Sequence, residues 1–403
     1  MMGTLVGQVA VFGVSPFLTR LYSPAEFGSY AAFMAIVGIG SNIAALSWDR
    51  AIVIPQEDAE ARGLVRLGLL SSIGVSVLLL VCAWWLLPCF GSLGLRATDA
   101  PLLALTICGS SLYQVFSAYL VRRERYRTIA FRSGIQGLLL AATSCIFGVV
   151  GWHSQGLLIS PAVAVFGAIL GMSAGLRKSS DAGQPVRLRD VARRYRRFPL
   201  MNSGSRLLNA VGLQAPILMV GAILGPSQLG FVSLATRILG SPTALVVTTT
   251  STYFEGTFSK QVRALSGGLA QTISSMSKKL MAVAIVPALV IVVVGPPLFE
   301  WVFGAEWAQA GHFARLLMVG YLGQLVVTPI SRSLSILERL GTQMIWDAGR
   351  CVFVLGAILL VYLVWPTSSS VVVAAWGVTL ALCYVALYVV SWRAAKKWEE
   401  TLS

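Results

Sequence analysis

Apolar residues fill most of this chain in long runs, and short polar segments separate one run from the next. An α-helix needs about 20 predominantly apolar residues to cross a hydrocarbon core of about 30 Å. Twelve runs meet that length, which predicts an all-α integral membrane protein with twelve transmembrane helices. The predicted helices lie near residues 3–19, 27–47, 64–87, 102–121, 129–150, 156–176, 199–224, 229–254, 280–297, 313–336, 350–365 and 371–391.

Composition agrees with this pattern and adds an orientation. The 403 residues are 56% hydrophobic and only 12% charged, which excludes an ordinary soluble domain. The formal charge of +15 lies almost entirely in alternate connections, so the positive-inside rule places both termini in the cytoplasm. The basic residues on that side include Arg122, Arg123, Arg125, Arg127, Arg177, Lys178, Lys278, Lys279, Lys396 and Lys397. The charge is therefore a topology signal, and we expect no nucleic-acid partner.

A repeat divides the chain into two halves. The turn SPAEFG at 23–28 is matched 202 positions later by GPSQLG at 225–230. Each turn carries a proline at the first helical position and Glu or Gln two residues later, which is the chemistry of a capped helix start. The even number of helices in each half predicts two pseudo-symmetric six-helix lobes, 1–176 and 199–403, joined by a basic linker, 177–198.

The linker carries arginines between apolar residues from Arg187 to Phe198. This pattern is typical of a basic helix lying on the cytoplasmic leaflet. An ordinary cytoplasmic loop that follows the charge rule has the same composition, so both interpretations stay open here.

Polar side chains inside the apolar runs concentrate at the start of each half. Asn202, Arg206 and Asn209 share one face of the seventh predicted helix, and Arg237 lies in the eighth. The first and second helices contribute Gln8 and Asn42, and a weaker polar set on the fourth includes Gln114. Membrane-embedded serines and threonines commonly bond to their own helix, and arginines near a helix end can reach the headgroups, which are the structural alternatives.

The two arginines predict an anion-binding chamber. The helix carboxylates Asp49, Glu255 and Asp347 all lie near cytoplasmic helix ends, so neither Arg206 nor Arg237 has an evident acidic partner at its own depth. Guanidinium groups bind phosphate and carboxylate groups in a bidentate manner. We therefore expect Arg206, Arg237, Asn202, Asn209, Gln8 and Asn42 to bind an anionic substrate.

No catalytic or cofactor motif accompanies these residues. The chain has no P-loop, no HExxH and no GxSxG, and its six cysteines lack metal-ligand spacing. We expect a transporter rather than an enzyme, with no cofactor and no metal. Without a nucleotide site, a proton or sodium gradient would drive it, and Asp49 and Glu255 are the candidate coupling carboxylates.

Five segments together resemble the polysaccharide-specific transporters of the MOP (multidrug/oligosaccharidyl-lipid/polysaccharide) superfamily, the Wzx-type O-antigen and exopolysaccharide flippases. They are LTRLYSPAEFGSYAAF, LSWDRAIVIPQEDAEARGL, RRYRRFPLMNSGSRLLN, LGFVSLATRILGSP and VFGAEWAQAG. The resemblance implies a MOP/MATE-like fold in the bacterial inner membrane. It also implies flipping of an undecaprenyl-pyrophosphate-linked oligosaccharide, with a glycan polymerase and a chain-length regulator as further partners.

Three alternatives remain at this stage. A MATE-like small-molecule exporter would use acidic and aromatic cavity walls, whereas the charges here are basic. A lipid II flippase usually has two more helices than this chain. A membrane-embedded glycan polymerase or ligase would need large outward loops, and these loops are short.

Overall fold

The computed structural model describes residues 2–176, 187–265 and 267–401. Twelve long helices lie within them: α1 (Met2–Leu21), α2 (Pro24–Ala44), α4 (Asp58–Leu86), α5 (Ala100–Arg122), α6 (Tyr126–Val150), α7 (His153–Leu176), α9 (Ser203–Leu224), α10 (Pro226–Arg263), α11 (Leu269–Phe303), α12 (Ala308–Val327), α14 (Leu340–Val364) and α15 (Ser369–Glu400). Three short helices complete the order: α3 (Trp48–Ala51), α8 (Leu188–Arg194) and α13 (Arg332–Ile336).

The all-α membrane fold predicted from hydropathy is confirmed. In the described ranges, eleven helices are long and apolar enough to cross a membrane. Several boundaries differ from the prediction: α11 begins at Leu269 instead of 280, α14 begins at Leu340 instead of 350, and α15 continues to Glu400 instead of 391. Helix α10 continues to Arg263, well beyond 254, because its last third is too polar for a hydropathy window to detect. The tenth predicted helix is interrupted after Val327, where Pro329 lacks the backbone N–H that would continue the helix.

Residues 1–229 form one compact unit. In it, α1 packs on α6, and α2 packs against α4, α5, α7 and α9. The predicted helix start at 23–28 is confirmed, because Ser23 and Glu26 form a reciprocal capping box at the start of α2. At the second turn α10 does begin at Pro226, but the Oε1 atom of Gln228 is buried without a hydrogen-bond partner in the described part of the chain, so no reciprocal cap forms.

Residues 230–403 form the second compact unit. In it, α12 packs closely on α11 and α15. Glycines make this approach possible: a Cβ atom on Gly311 would lie 2.5 Å from the carbonyl oxygen of Gly295, and one on Gly377 would lie 2.4 Å from that of Leu316. Small residues allow helices in a membrane to pack backbone against backbone. The predicted division into lobes at 176 and 199 stays a prediction.

Tyr22 fixes the connection between α1 and α2. Its hydroxyl donates to the backbone carbonyl of Ser144 on α6 over 2.7 Å. Burial, reinforced by the charge of Glu26, raises the pKa of Tyr22 to about 12. The folded protein therefore holds this proton more tightly than the unfolded chain, whose tyrosines titrate near pH ~10. The resulting stabilisation is complete below pH ~10 and is lost as the pH rises towards about 12.

We expect Tyr22→Phe to lower the free energy of unfolding by about 1 kcal/mol at neutral pH, because one buried hydrogen bond is removed. The variant should also lose less stability than the wild type on going from neutral to strongly alkaline pH. Thermal unfolding of the detergent-solubilised protein at the two pH values measures both effects. An alkaline loss as large in the variant as in the wild type would contradict the role of Tyr22.

Candidate functional site

A strained turn after α2 positions part of the candidate site. Leu46 and Ser47 have φ angles of +46° and +56°, in the left-handed region that residues other than glycine rarely occupy. Ser47 is buried, and its hydroxyl lies 3.1 Å from the hydroxyl of Ser203 at the first residue of α9. The turn starts the short helix α3 and leaves its residue Asp49 beside α9 instead of in line with α2.

Arg206 on α9 is the centre of a polar cluster. Its Nη1 atom donates to Oδ1 of Asp49 over 2.7 Å, and its Nη2 atom donates to Oδ1 of Asn42 over 3.3 Å and to Oε1 of Gln114 over 2.9 Å. The arginine and aspartate side chains are only 15% and 9% exposed. We call these four residues the Arg206 cluster; they come from α2, α3, α5 and α9.

The two amides of the cluster are held with their oxygens towards the guanidinium group. The amide nitrogen of Asn42 donates to the carbonyl of Gly38 over 2.8 Å, and that of Gln114 donates to the carbonyl of Ser41 over 3.5 Å. Each side chain therefore presents its acceptor atom to Arg206. The amides position the arginine without adding charge.

The cluster retains capacity for a ligand. A guanidinium group has five N–H donors, and Arg206 uses three of them on the described residues. Its Nε and one hydrogen on Nη1 are left over. An ionisable side chain this far inside a membrane protein faces protein or water rather than lipid, and it is a candidate functional residue by default. The two unused N–H groups lie on different edges of the guanidinium plane, so each can donate one hydrogen bond to an oxygen of an anion.

The structure brings together three of the residues predicted from the sequence, namely Asn42, Asp49 and Arg206. Asn202 and Asn209 are exposed and lie outside the Arg206 cluster. The side chain of Gln8 is outside the described residues. The expectation that Arg206 has no acidic partner is wrong, because the turn at Leu46 and Ser47 moves Asp49 to its side.

Two further candidates belong to the second unit. Arg237 lies half-buried on α10. Glu255, on the same helix, forms an ion pair with Arg332 over 3.2 Å, and both side chains are about half exposed. The substrate-binding role of Arg237, and the chamber that it would share with Arg206, stay predictions.

Gln114 belongs to the Arg206 cluster although the sequence pattern did not identify it as a substrate-binding residue. It belongs to the weaker polar set on the fourth predicted helix, yet it makes one of the shorter bonds to Arg206. A membrane glutamine with serines one turn before it and three residues after it is common helix–helix contact chemistry. Nothing in its spacing indicated that α5 packs against α2 at the level of Asn42.

The basic linker helix docks against the same unit. Val191 on α8 and Tyr195 directly after it are buried in a cluster that includes Leu64 of α4 and Trp48 of α3. The Tyr195 hydroxyl donates to Oε2 of Glu60 over 3.0 Å. Desolvation, followed by this hydrogen bond and the charge of Glu60, raises the pKa of Tyr195. Of the two interpretations left open for the linker, the structure has a helix at Leu188–Arg194, whereas its contact with the cytoplasmic leaflet stays a prediction.

The linker leads directly into the site. A π-helical turn, Phe198–Asn202, follows α8 and precedes Ser203 of α9. It contacts α3, which carries Asp49. Such turns are rare and occur frequently at functional sites. The position of Arg206 is therefore set by the linker on one side and by α3 on the other.

Comparisons with known proteins agree with this architecture. The model of a family described as "Polysaccharide biosynthesis protein" matches residues 17–311. The succinoglycan biosynthesis transport protein ExoT of Rhizobium meliloti (strain 1021) is 25% identical over 378 residues, which is 88% of this chain and 72% of that protein.

Two solved structures share the fold. The lipid II flippase MurJ, in an inward closed conformation, has a TM-score of 0.76 at 11% identity, covering 99% of this chain and 89% of MurJ. The inward-facing conformation of a multidrug resistance MATE family transporter of the MOP superfamily has a TM-score of 0.65 at 14% identity, covering 99% and 95%. These matches confirm the MOP/MATE-like fold. The chain is a multi-pass membrane protein that belongs to the polysaccharide biosynthesis protein family.

Proposed function

We propose that this protein is a flippase that carries an undecaprenyl-pyrophosphate-linked oligosaccharide across the bacterial inner membrane for surface polysaccharide synthesis. The family description and the transport function named for the succinoglycan relative support the glycan assignment. The likeness to MurJ supports a fold suited to a lipid-linked substrate. The protein would be a transporter and not an enzyme, with both termini in the cytoplasm.

The observation that carries the proposal is Arg206, whose side chain is only 15% exposed and has N–H donors left unused by the described residues. A diphosphate group offers several anionic oxygens, and each unused N–H group of Arg206 can donate a charge-assisted hydrogen bond to one of them. The neighbouring amides of Asn42 and Gln114 hold the guanidinium group in place. The diphosphate of the substrate would bind here, while the glycan would stay in water and the lipid tail would stay in apolar surroundings.

Asp49 gives this site a route to ion coupling. In the present structure its carboxylate neutralises Arg206 over 2.7 Å. Protonation of that carboxylate would remove the internal anion and leave the guanidinium group free to bind the diphosphate. Proton binding at Asp49 and substrate binding at Arg206 would then favour each other, as linked equilibria require. A sodium ion at Asp49 would have the same effect, so a proton or sodium gradient can serve as the driving force.

The transport cycle would be alternating access between the two halves of the chain. The bilayer and the lipid-linked oligosaccharide are its direct partners, and a glycan polymerase and a chain-length regulator would act on the delivered substrate. Arg237 is a further candidate for substrate binding. Glu255 is the second candidate for coupling.

The test is a flipping assay in reconstituted vesicles that contain a lipid-linked oligosaccharide in both leaflets. An impermeant glycan-modifying reagent is added outside. We expect vesicles with the protein to expose their whole pool to the reagent, and empty vesicles only the outer-leaflet pool. An imposed proton or sodium gradient should change the rate, because the driving ion is predicted to bind at Asp49.

Two controls separate the alternatives. Lipid II in place of the oligosaccharide lipid tests a peptidoglycan role, and mass spectrometry of the glycan tests for polymerisation. Equal exposure in empty and protein-containing vesicles, or a lengthened glycan, would contradict the proposal.

A further inference from the structure

The first unit contains an apolar recess that the Arg206 cluster does not use. It is a cavity of about 420 Å³ with walls formed by α2, α4, α5, α9 and the turn after α4. Its lining is aliphatic apart from the thioether of Met219 and the exposed thiol of Cys82. The volume lies within the ~300–1,000 Å³ that small-molecule sites usually have. A polar ligand would find almost no hydrogen-bond partner here, so the occupant must be a hydrocarbon.

The recess differs from the ordinary lipid-facing surface of a membrane protein. Exposed positions on α4, such as Val81 at 53% exposure, are covered by any neighbouring lipid. The recess instead has a buried floor, formed by residues such as Ile107, which is only 1% exposed, and Leu103, at 3%. A chain that enters it is surrounded by four helices and held in a defined place.

The order of polar and apolar groups along two helices indicates the kind of lipid. Ile39 lines the recess on α2, one helical turn from Asn42 of the Arg206 cluster. On α9, Leu218 lines it at twelve residues from Arg206, about 18 Å along the helix axis. Both helices therefore run from an anion-binding cluster to an apolar recess. An amphipathic molecule with an anionic head and a hydrocarbon tail has the same order.

From these contacts we infer that the recess holds part of the isoprenoid tail of the lipid-linked substrate while its diphosphate is at Arg206. The inference rests on the proposed function and adds a tail-binding site to it. The recess is a single cavity, which suits the single chain of a polyprenyl lipid better than the paired chains of a phospholipid. Binding of the tail would keep the headgroup in register with the cluster during transport.

Cys82 provides a native probe of occupancy. The wild-type protein in detergent is treated with N-ethylmaleimide, and the rate of labelling at each cysteine is read by peptide mass spectrometry. We expect polyprenyl phosphate at ten times its dissociation constant to slow labelling of Cys82 about tenfold, because only about one molecule in eleven is then unoccupied. Labelling of Cys145 on α6 and Cys351 on α14, outside the recess, should not change.

Two variants sharpen the test. Ala83 lines the recess, so Ala83→Phe should fill it and abolish the protection of Cys82. Val81→Phe adds the same ring at a lipid-facing position on the same helix and should leave the protection intact. Equal protection by a diacyl phosphatidic acid would assign the recess to bulk lipid and overturn the inference. Absence of protection by polyprenyl phosphate, or equal slowing at all three cysteines, would overturn it as well.

The flipping assay distinguishes this inference from the function on which it rests. Unprotected Cys82 in a protein that still flips the lipid-linked oligosaccharide would reject the recess alone. Protection of Cys82 in a protein that does not flip would uphold a prenyl-chain site and reject the proposed function.

Discussion

Arg206→Ala should abolish transport of the lipid-linked oligosaccharide and also lower the free energy of unfolding by about 3–5 kcal/mol. The second effect follows from the geometry, since the variant leaves the carboxylate of Asp49 buried without its partner at 2.7 Å. An uncompensated buried charge costs about that much. Surface polysaccharide in a complemented strain and unfolding of the purified protein measure the two effects.

Loss of transport in this variant could come from either cause, so a second substitution is needed to separate them. In Arg206→Met/Asp49→Leu both charges are absent, and replacing a buried ion pair by apolar residues of similar size is often neutral or stabilising. We expect stability to return close to the wild-type value while transport stays absent. Restored transport in the double variant would make the pair purely structural and would contradict the proposed function.

An ion pair whose arginine is exposed provides the matched control in the same unit. Arg194 pairs with Glu60, but its side chain is 66% exposed. Solvent screens such a pair, and its removal costs about 0–1 kcal/mol. Arg194→Ala should therefore leave both stability and transport near wild-type values. A loss as large as that of Arg206→Ala would show that the assay responds to any missing arginine.

The Arg206–Asp49 pair also shows which part of the site the sequence predicts and which part it does not. The positions of Asn42, Asp49 and Arg206 were evident, because a polar residue in an apolar run is visible in the sequence itself. Their contact was not, because it depends on a left-handed turn at Leu46 and Ser47. Turns of this kind usually contain glycine or asparagine, and neither residue is present at these two positions.

The helices themselves were predictable, because the bilayer constrains the segments that cross it. Hydrocarbon offers no partner to the backbone, so an apolar segment of about 20 residues that crosses it forms a helix, whose backbone groups bond within the segment. This constraint located all twelve long helices, but it says nothing about polar extensions. The last third of α10 and the docked helix α8 are held by packing in buried clusters, and their arrangement depends on residues distant in sequence.

The second large effect that we expect is a loss of stability when a glycine contact in the second unit is disrupted. Gly311→Ala should lower the free energy of unfolding by about 1–3 kcal/mol, the usual cost of inserting a group into a well-packed interior. The new Cβ would lie 2.5 Å from the carbonyl oxygen of Gly295 and 2.8 Å from the Cα of Pro296. Both are backbone atoms, so no side chain can rotate away, and α11 and α12 must separate.

Gly356 on α14 is the control, because, apart from the adjoining backbone of its own helix, no described atom lies within 4 Å of the Cβ that alanine would add there. Alanine favours a helix by up to about 1 kcal/mol over glycine, so Gly356→Ala should be neutral or stabilising. Thermal unfolding and the yield of folded protein in detergent compare the two variants. The same substitution should therefore act in opposite directions on α12 and α14, and equal effects would mean that the contact between Gly295 and Gly311 does not hold the helices together.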